Sequence, residues 1–94
     1  MIRVFLPSQL DDYTDRVREL EMELSAEEGK LLVLADVIAE LERRYKGVAF
    51  RIVDEHGNIR RHIAMFVGDT MVRTLDAPLT GNSRVQIVGA LSGG

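Results

Sequence analysis

The chain ends with Arg84-Val85-Gln86-Ile87-Val88-Gly89-Ala90-Leu91-Ser92-Gly93-Gly94, and the rest of the sequence is best interpreted around this stretch. Residues 84–88 alternate polar and apolar side chains, as a strand with one buried face does. The next six residues are mostly small and close on two glycines, which lack Cβ and can pass through a narrow channel. The sequence therefore predicts a folded body over residues 1–88 and a flexible Gly-Gly tail over residues 89–94.

A tail of this kind would present its terminal carboxylate as the reactive group. Six extended residues reach at most about 20 Å, far enough to enter the active site of a partner. A terminal carboxyl has a reference pKa of about 3.3 to 3.7, so at neutral pH the Gly94 carboxylate is ionised and able to attack the α-phosphate of ATP. The alternative is that Gly93 and Gly94 are a frayed end. We favour the functional interpretation because the strand runs into the tail without a linker.

Composition excludes several other kinds of chemistry. The 94 residues are enough for one domain, and the absence of cysteine excludes disulfides, thiolate metal sites and a thiol nucleophile. The net charge is -3 and no basic run stands out, so we expect no nucleic-acid partner. No signal-peptide pattern or membrane-spanning apolar run is present, so we expect no membrane partner and a cytoplasmic location. Only Lys30 and Lys46 could accept the tail of another copy.

The first part of the chain predicts a hairpin. Residues 2–6 are rich in branched and aromatic side chains and predict a strand. Residues 9–24 carry two competing patterns, since apolar side chains recur at helical spacing but also alternate with glutamates from residue 19 onward. We predict a strand over residues 18–24 that pairs antiparallel with the first.

The middle of the chain contains the clearest helix. One stripe of apolar side chains faces a single side: Leu34, Val37, Ile38, Leu41 and Tyr45. Glu40 with Arg44, and Glu42 with Lys46, are spaced for ion pairs along the helix. Gly47 is expected to end the helix from the position after its cap.

The remaining elements predict an α+β fold. Residues 48–53 suit a short strand or a turn of helix, residues 54–58 a turn, and residues 63–67, 71–73 and 84–88 three further strands. One helix over a mixed sheet of four to five strands is the expected architecture. In residues 63–67 alternation places Phe66 on the face away from the helix, where an aromatic side chain is either ordinary surface or the anchor of a docking patch; we favour docking. His56 and His62 have no metal-ligand spacing, so we expect no metal site.

Four stretches together carry a family resemblance: residues 33–47, 54–63, 65–73 and 85–94. In these stretches the chain resembles the ubiquitin-like β-grasp sulfur carriers, the family of the molybdopterin synthase small subunit and of the thiamine-biosynthesis sulfur carrier. The resemblance looks closer to the molybdopterin branch and implies the ubiquitin-like β-grasp fold, with an extended tail.

The resemblance also implies a mechanism in which the chain is a protein cosubstrate and not an enzyme. An E1-like adenylating enzyme would use ATP and magnesium to activate Gly94, and persulfide sulfur would convert it to a thiocarboxylate. Gly93, Ser92 and Leu91 would thread into partners, and Phe66 would dock. The implied client is the large subunit of molybdopterin synthase, with molybdopterin as the product. The alternatives are a carrier for cysteine, thiamine or transfer-RNA thiolation, a ubiquitin-like modifier of proteins, or a non-catalytic interaction module.

Overall fold

Five strands form one sheet in the computed structural model, which describes residues 1–89. The strands are β1 (Ile2–Phe5), β2 (Glu19–Met22), β3 (Ile63–Val67), β4 (Thr70–Val72) and β5 (Arg84–Gly89). Their order across the sheet is β2-β1-β5-β3-β4. Three helices interrupt them: α1 (Asp11–Thr14), α2 (Leu34–Arg44) and α3 (Val48–Ile52).

Strand β5 lies at the centre of the sheet and makes the sheet mixed. It runs parallel to β1, where Val4 is opposite Val85, and antiparallel to β3, where Met65 is opposite Ile87. The pairs β1 with β2 and β3 with β4 are antiparallel. A parallel pair needs a long crossover connection, and here helices α2 and α3 lie in the chain between β1 and β5.

The core lies between the inner face of the sheet and α2. Alternation along each strand directs one set of side chains to this face. Most of them are buried: Ile2, Val4, Met22, Ile63, Met65, Val85 and Ile87. Three others on the same face are half-buried and pack against the core: Leu20, Val67 and Val72. Helix α2 covers them with its buried stripe of Leu34, Val37, Ile38 and Leu41. Because full burial of such side chains is worth about 1.5 to 3 kcal/mol each, this layer supplies most of the drive for folding.

Helix α2 matches its prediction in the buried face and in one of the two ion pairs. At its start the Asp36 carboxylate accepts a hydrogen bond of 2.9 Å from the backbone N–H of Val33, satisfying one donor that the helix leaves free. Glu40 pairs with Arg44 at 2.8 Å, as predicted, and also with Arg43 at 2.6 Å.

The end of α2 differs from the prediction. The C-cap of α2 is Tyr45, so Gly47 lies one residue beyond the position predicted for it. Gly47 is instead the N-cap of α3, with a φ of +95°. Glu42 pairs with no lysine: its carboxylate accepts from the backbone N–H groups of Gly47 and Ala49, at 2.9 and 3.0 Å. These two hydrogen bonds hold the pKa of Glu42 below its usual range, and the bond from Gly47 has the larger effect. Of the two alternatives for residues 48–53, the short helix is correct.

The segment between β1 and β2 contains both of the competing structures. Residues Ser8–Leu10 form a 3-10 turn that continues into α1, whereas β2 is confined to Glu19–Met22 and is shorter than the predicted strand over residues 18–24. The buried Thr14 hydroxyl lies 3.2 Å from the Leu10 carbonyl and 3.1 Å from the Val17 carbonyl, which closes the helical turn. The antiparallel pairing of β2 with β1 is as predicted. The whole is a β-grasp fold.

Candidate functional site: the root of the tail and the outer sheet face

The tail leaves the body from the central strand. Strand β5 extends to Gly89, one residue into the predicted tail segment, and Gly89 is paired there with Ile63 of β3. The Gln9 side chain covers this point, since its Nε2 donates to the Gly89 carbonyl over 3.3 Å. The predicted site residues Leu91, Ser92, Gly93 and Gly94 lie outside the described residues.

The face of the sheet away from α2 carries an apolar surface beside this root. Phe66 is opposite Gln86 on one side and Met71 on the other, so these three side chains form a row across the outer face. Ala64 and Val88 pair in the next row toward the tail. We call Ala64, Phe66, Met71 and Val88 the outer patch.

The outer patch is partly exposed and separate from the core. Met71 is 47% exposed, and Ala64, Phe66 and Val88 are half-buried. None of the four belongs to or packs against the cluster of buried side chains under α2, except through the backbone of the sheet. Phe66 therefore lies on the face that alternation predicted, and an aromatic ring at the centre of an apolar patch is the arrangement found at protein interfaces.

Charged side chains lie at the opposite end of the outer face. Arg3 pairs with Glu19 at 3.0 Å and lies 5.7 Å from the centroid of the Phe5 ring. Arg84 lies 3.4 Å from Asp69. Exposed ion pairs of this kind add little stability. These charged side chains lie next to the outer patch, at the end of the sheet away from Gly89.

The two histidines are not brought together with other ligands. Within residues 1–89 no group of three or more His, Asp or Glu side chains is placed to hold a metal ion. Asp54, an acidic residue in the same turn as His56, is already used by the backbone. Its carboxylate accepts hydrogen bonds from the backbone N–H groups of Asn58 and His56, at 3.0 and 2.9 Å. These two hydrogen bonds lower the pKa of Asp54, and the bond from Asn58 has the larger effect. The Asp54 carboxylate therefore stabilises the turn over residues 54–58. No helix in this part of the chain is long and apolar enough to cross a membrane.

Two members of the outer patch were missed from the sequence, whereas Ala64 lies on the outward face with Phe66, as alternation along β3 predicts. Met71 and Val88 join Phe66 only through the register of β3 with β4 and β5. Alternation in each strand gave the face of each side chain but not its neighbours, since strand order and register depend on the whole sheet.

The sequence model of the ThiS family matches residues 12–94. The chain belongs to the ThiS family. This confirms the predicted membership of the ubiquitin-like sulfur carriers. ThiS-family sulfur carriers are small protein cosubstrates, not enzymes. A search among curated protein sequences found no match.

Several solved structures share this fold. It is 26% identical to a chain of the Amycolatopsis orientalis BexX/CysO complex, with 100% of both chains covered and a TM-score of 0.83. Mycobacterium tuberculosis CysO is also 26% identical, with 97% of this chain and 100% of that one covered and a TM-score of 0.77. SAMP1 from Haloferax volcanii is 15% identical with a TM-score of 0.76, covering 99% of this chain and 98% of that one, and shows the fold alone.

Proposed function

We propose that this chain is a sulfur carrier whose C-terminal Gly94 becomes a thiocarboxylate. The observation that supports the proposal best is the match of the ThiS family, which extends through Gly93 and Gly94. Activation would take place on an E1-like adenylating enzyme that binds ATP and magnesium. The Gly94 carboxylate attacks the α-phosphate, pyrophosphate leaves, and the acyl-adenylate remains.

Sulfur then replaces AMP at the acyl carbon. A persulfide sulfur attacks that carbon and AMP leaves, and a thiol cleaves the resulting acyl disulfide to release the thiocarboxylate. The chain itself has no cysteine, so both the sulfur and the thiol come from outside it. Glycine at position 93 leaves the approach to the acyl carbon unhindered.

The body of the protein would select the partner. The central strand β5 leads into the tail, and the outer patch lies beside its root, so one partner can hold both. We assign Phe66 as the docking anchor, and Leu91, Ser92 and Gly93 as the residues that thread toward the active site.

Two clients are candidates for the sulfur. The sequence resemblance favours the large subunit of molybdopterin synthase, in which case this chain would be the small subunit. The 26% identity to two chains from CysO structures favours a client in cysteine biosynthesis. Incubating the thiocarboxylate form with each client and its acceptor, and following the loss of sulfur from the carrier, decides between them.

Intact mass spectrometry tests the sulfur-carrier proposal. The protein is incubated with an E1-like enzyme, ATP, magnesium and a persulfide donor. We expect a mass gain equal to the replacement of one oxygen by sulfur, absent when Gly94 is deleted and retained in the control Gly81→Ala, a change in the turn before β5. A mass gain in the Gly94 deletion would overturn the proposal. Formation of amine-linked products would favour a protein modifier instead.

A further inference from the structure

A cavity of about 350 Å³ opens at the end of the sheet from which the tail departs. It lies where β3 begins and β4 ends, and it is bounded on the third side by the turn in which the Ile63 N–H donates to the Arg60 carbonyl over 2.9 Å. Three arginines line it, Arg60, Arg61 and Arg73; the other lining side chains are apolar and none is acidic. We call this cavity the arginine pocket.

Within residues 1–89 the arginines of the arginine pocket form no ion pair, although the Asp54 carboxylate is close enough to Arg60 to interact with its charge. Ion pairs in this part of the chain engage Arg3, Arg18, Arg43, Arg44 and Arg84, but none engages an arginine of the pocket. Arg61 and Arg73 are exposed. A cluster of three cations is therefore held on a chain whose net charge is -3.

Arg60 is fixed in place before any ligand binds. Its Nε donates to the Phe50 carbonyl over 2.7 Å, and its guanidinium carbon lies 4.6 Å from the centroid of the Phe50 ring. Neither terminal amino group of Arg60 donates to a residue of the described part of the chain. A guanidinium fixed in this way loses little side-chain entropy when it binds a carboxylate through two parallel hydrogen bonds.

The apolar part of the lining narrows the choice of ligand. Ile59, Ile63 and Met71 supply hydrocarbon surface next to the guanidinium groups, and a pocket of this volume accommodates a few side chains. A carboxylate flanked by an apolar side chain satisfies both parts of the lining. An acidic segment of a protein, with aspartate or glutamate next to leucine or a similar residue, has this chemistry.

The position of the pocket indicates which protein supplies the segment. Ile63 lines the pocket and also pairs with Gly89, so the pocket and the root of the tail are at the same end of the sheet. The pocket spans β3 and β4, which are one and two places from β5, so at about 4.8 Å per strand it lies about 5 to 10 Å to the side of Gly89. Met71 and Ala64 belong to both the pocket and the outer patch, so the two surfaces are continuous.

We propose that the arginine pocket binds an acidic, apolar-flanked segment of the protein that receives the tail. The identity of that protein rests on the proposed function, but the recognition chemistry does not. Because the net charge of the chain is negative, the pocket is a local site of attraction for an acidic partner and fixes the orientation in which it docks.

Amide chemical shifts of the full chain test the pocket directly. The probe is the peptide acetyl-Leu-Glu-Asp-Leu-Glu-Leu-amide, and its control has glutamine and asparagine in place of the acids. We expect the acidic peptide to shift the amides of residues 59–64 and 71–73, with a dissociation constant of about 1 mM or below. The neutral peptide should bind at least tenfold more weakly, and added salt should weaken the acidic one.

Matched variants decide whether the arginines are responsible. Arg61→Gln with Arg73→Gln should weaken the acidic peptide at least tenfold, whereas Arg16→Gln with Lys46→Gln, which removes the same charge outside the pocket, should leave it unchanged. If the first pair does not fold, Arg73→Gln alone replaces it. Three results would each overturn the proposal: an equal loss of affinity for the acidic peptide in both double variants, equal binding of the acidic and neutral peptides, or chemical-shift changes on another surface.

Two further titrations distinguish an acidic protein segment from a phosphate-containing ligand. Inorganic phosphate and a single-stranded oligonucleotide are titrated in the same way, and if either shifts the pocket amides at lower concentration than the acidic peptide, the pocket is a phosphate site and the acidic-segment proposal is wrong. The peptide titration needs neither ATP nor an activating enzyme. Failed sulfur loading with peptide binding intact overturns only the proposed function, and the reverse result overturns only the pocket.

Discussion

At the scale of single residues, Gly47 is held in a conformation that other residues enter only at a cost. Its φ of +95° lies in the left-handed region, where an L side chain costs about 1 to 2 kcal/mol. An added Cβ would meet only the Tyr13 ring, at 3.7 and 3.8 Å, which is ordinary contact. We therefore expect Gly47→Ala to lower the free energy of unfolding by about 1 to 2 kcal/mol, measured by urea denaturation.

Gly81 provides the matched comparison. It has no positive φ and an added Cβ there would meet no atom within 4 Å, so Gly81→Ala should change stability little. If Gly47→Ala lowers the free energy of unfolding no more than Gly81→Ala does, the backbone conformation of Gly47 is not the reason for glycine at this position.

Gly89, at the root of the tail, is limited by a side chain and not by its backbone angle. An added Cβ would lie 2.7 to 2.8 Å from the end of the Gln9 side chain, which must move away and lose its hydrogen bond to the Gly89 carbonyl. Gly89→Ala should therefore destabilise the protein slightly when Gln9 is present. With Gln9→Ala the clash is absent, and alanine should then stabilise the strand by about 0.5 kcal/mol or more.

A double-mutant cycle over these two positions measures this interaction. We expect a coupling energy of about 0.5 to 1 kcal/mol from urea denaturation of the four proteins. Additive effects of the two substitutions would mean that Gln9 does not lie over Gly89.

At the scale of elements, the last turns of α2 contain two ion pairs whose strength depends on pH. Hydrogen bonds from Arg43 and then Arg44 lower the pKa of Glu40 from 4.5 to about 2. Because the folded-state pKa is below the unfolded one, the pairs stabilise the fold above about pH 4.5, and this contribution is lost as the pH falls toward 2. Two pairs of this kind are worth about 0.5 to 1 kcal/mol together.

Glu40→Gln should therefore reduce the free energy of unfolding at pH 7 by about that amount and by much less near pH 2. Thermal unfolding across this pH range checks the prediction, with Glu28→Gln, at an exposed position in the loop before α2, as the control. A difference that is constant with pH would show that the carboxylate charge is not involved. At about 1 M salt the difference at pH 7 should shrink, since the Debye length falls to about 3 Å.

Elements with one dominant period were predictable from the sequence, and mixed ones were not. The stripe of α2 and the alternation of β3 each agree with a single period, so their buried faces were correct. Residues 9–24 contain a helical turn and a strand in succession, so a single assignment over the segment could be only partly right. The role of Gly47 depends on α3 docking under α2, which is a tertiary contact that no local pattern encodes.

The candidate site divides in the same way. Phe66 could be placed on the outer face because alternation is a local property of β3. The arginine pocket could not be found, because it assembles Arg60 and Arg61 with Arg73 through the β3–β4 hairpin and fixes Arg60 on Phe50, ten residues earlier. Such sites depend on register and loop conformation, which the sequence alone leaves open.

At the scale of the whole molecule, the proposed function requires one partner to bind the outer patch and the tail together. If the body only carried the tail, the outer patch would be irrelevant to sulfur loading; if the body selects the partner, its central aromatic side chain is the main anchor. We expect Phe66→Ser to raise the KM for the carrier in adenylation at least tenfold and to change kcat little, because docking contributes equally before and during the reaction. Steady-state kinetics with an E1-like enzyme measures both constants.

Leu31→Ser is the matched control for that experiment. Leu31 is a large apolar residue, 78% exposed, in the loop before α2 and outside the outer patch. It should leave both constants unchanged, and the circular dichroism of both variants should match that of the parent. A fall in kcat with KM unchanged would place Phe66 in a step after docking, whereas equal effects of the two substitutions would assign recognition to the tail alone. Residues 90–94 carry no charged or aromatic side chain, so recognition by these residues alone would predict that different activating enzymes accept this carrier equally well. The same assay with a second enzyme tests that consequence.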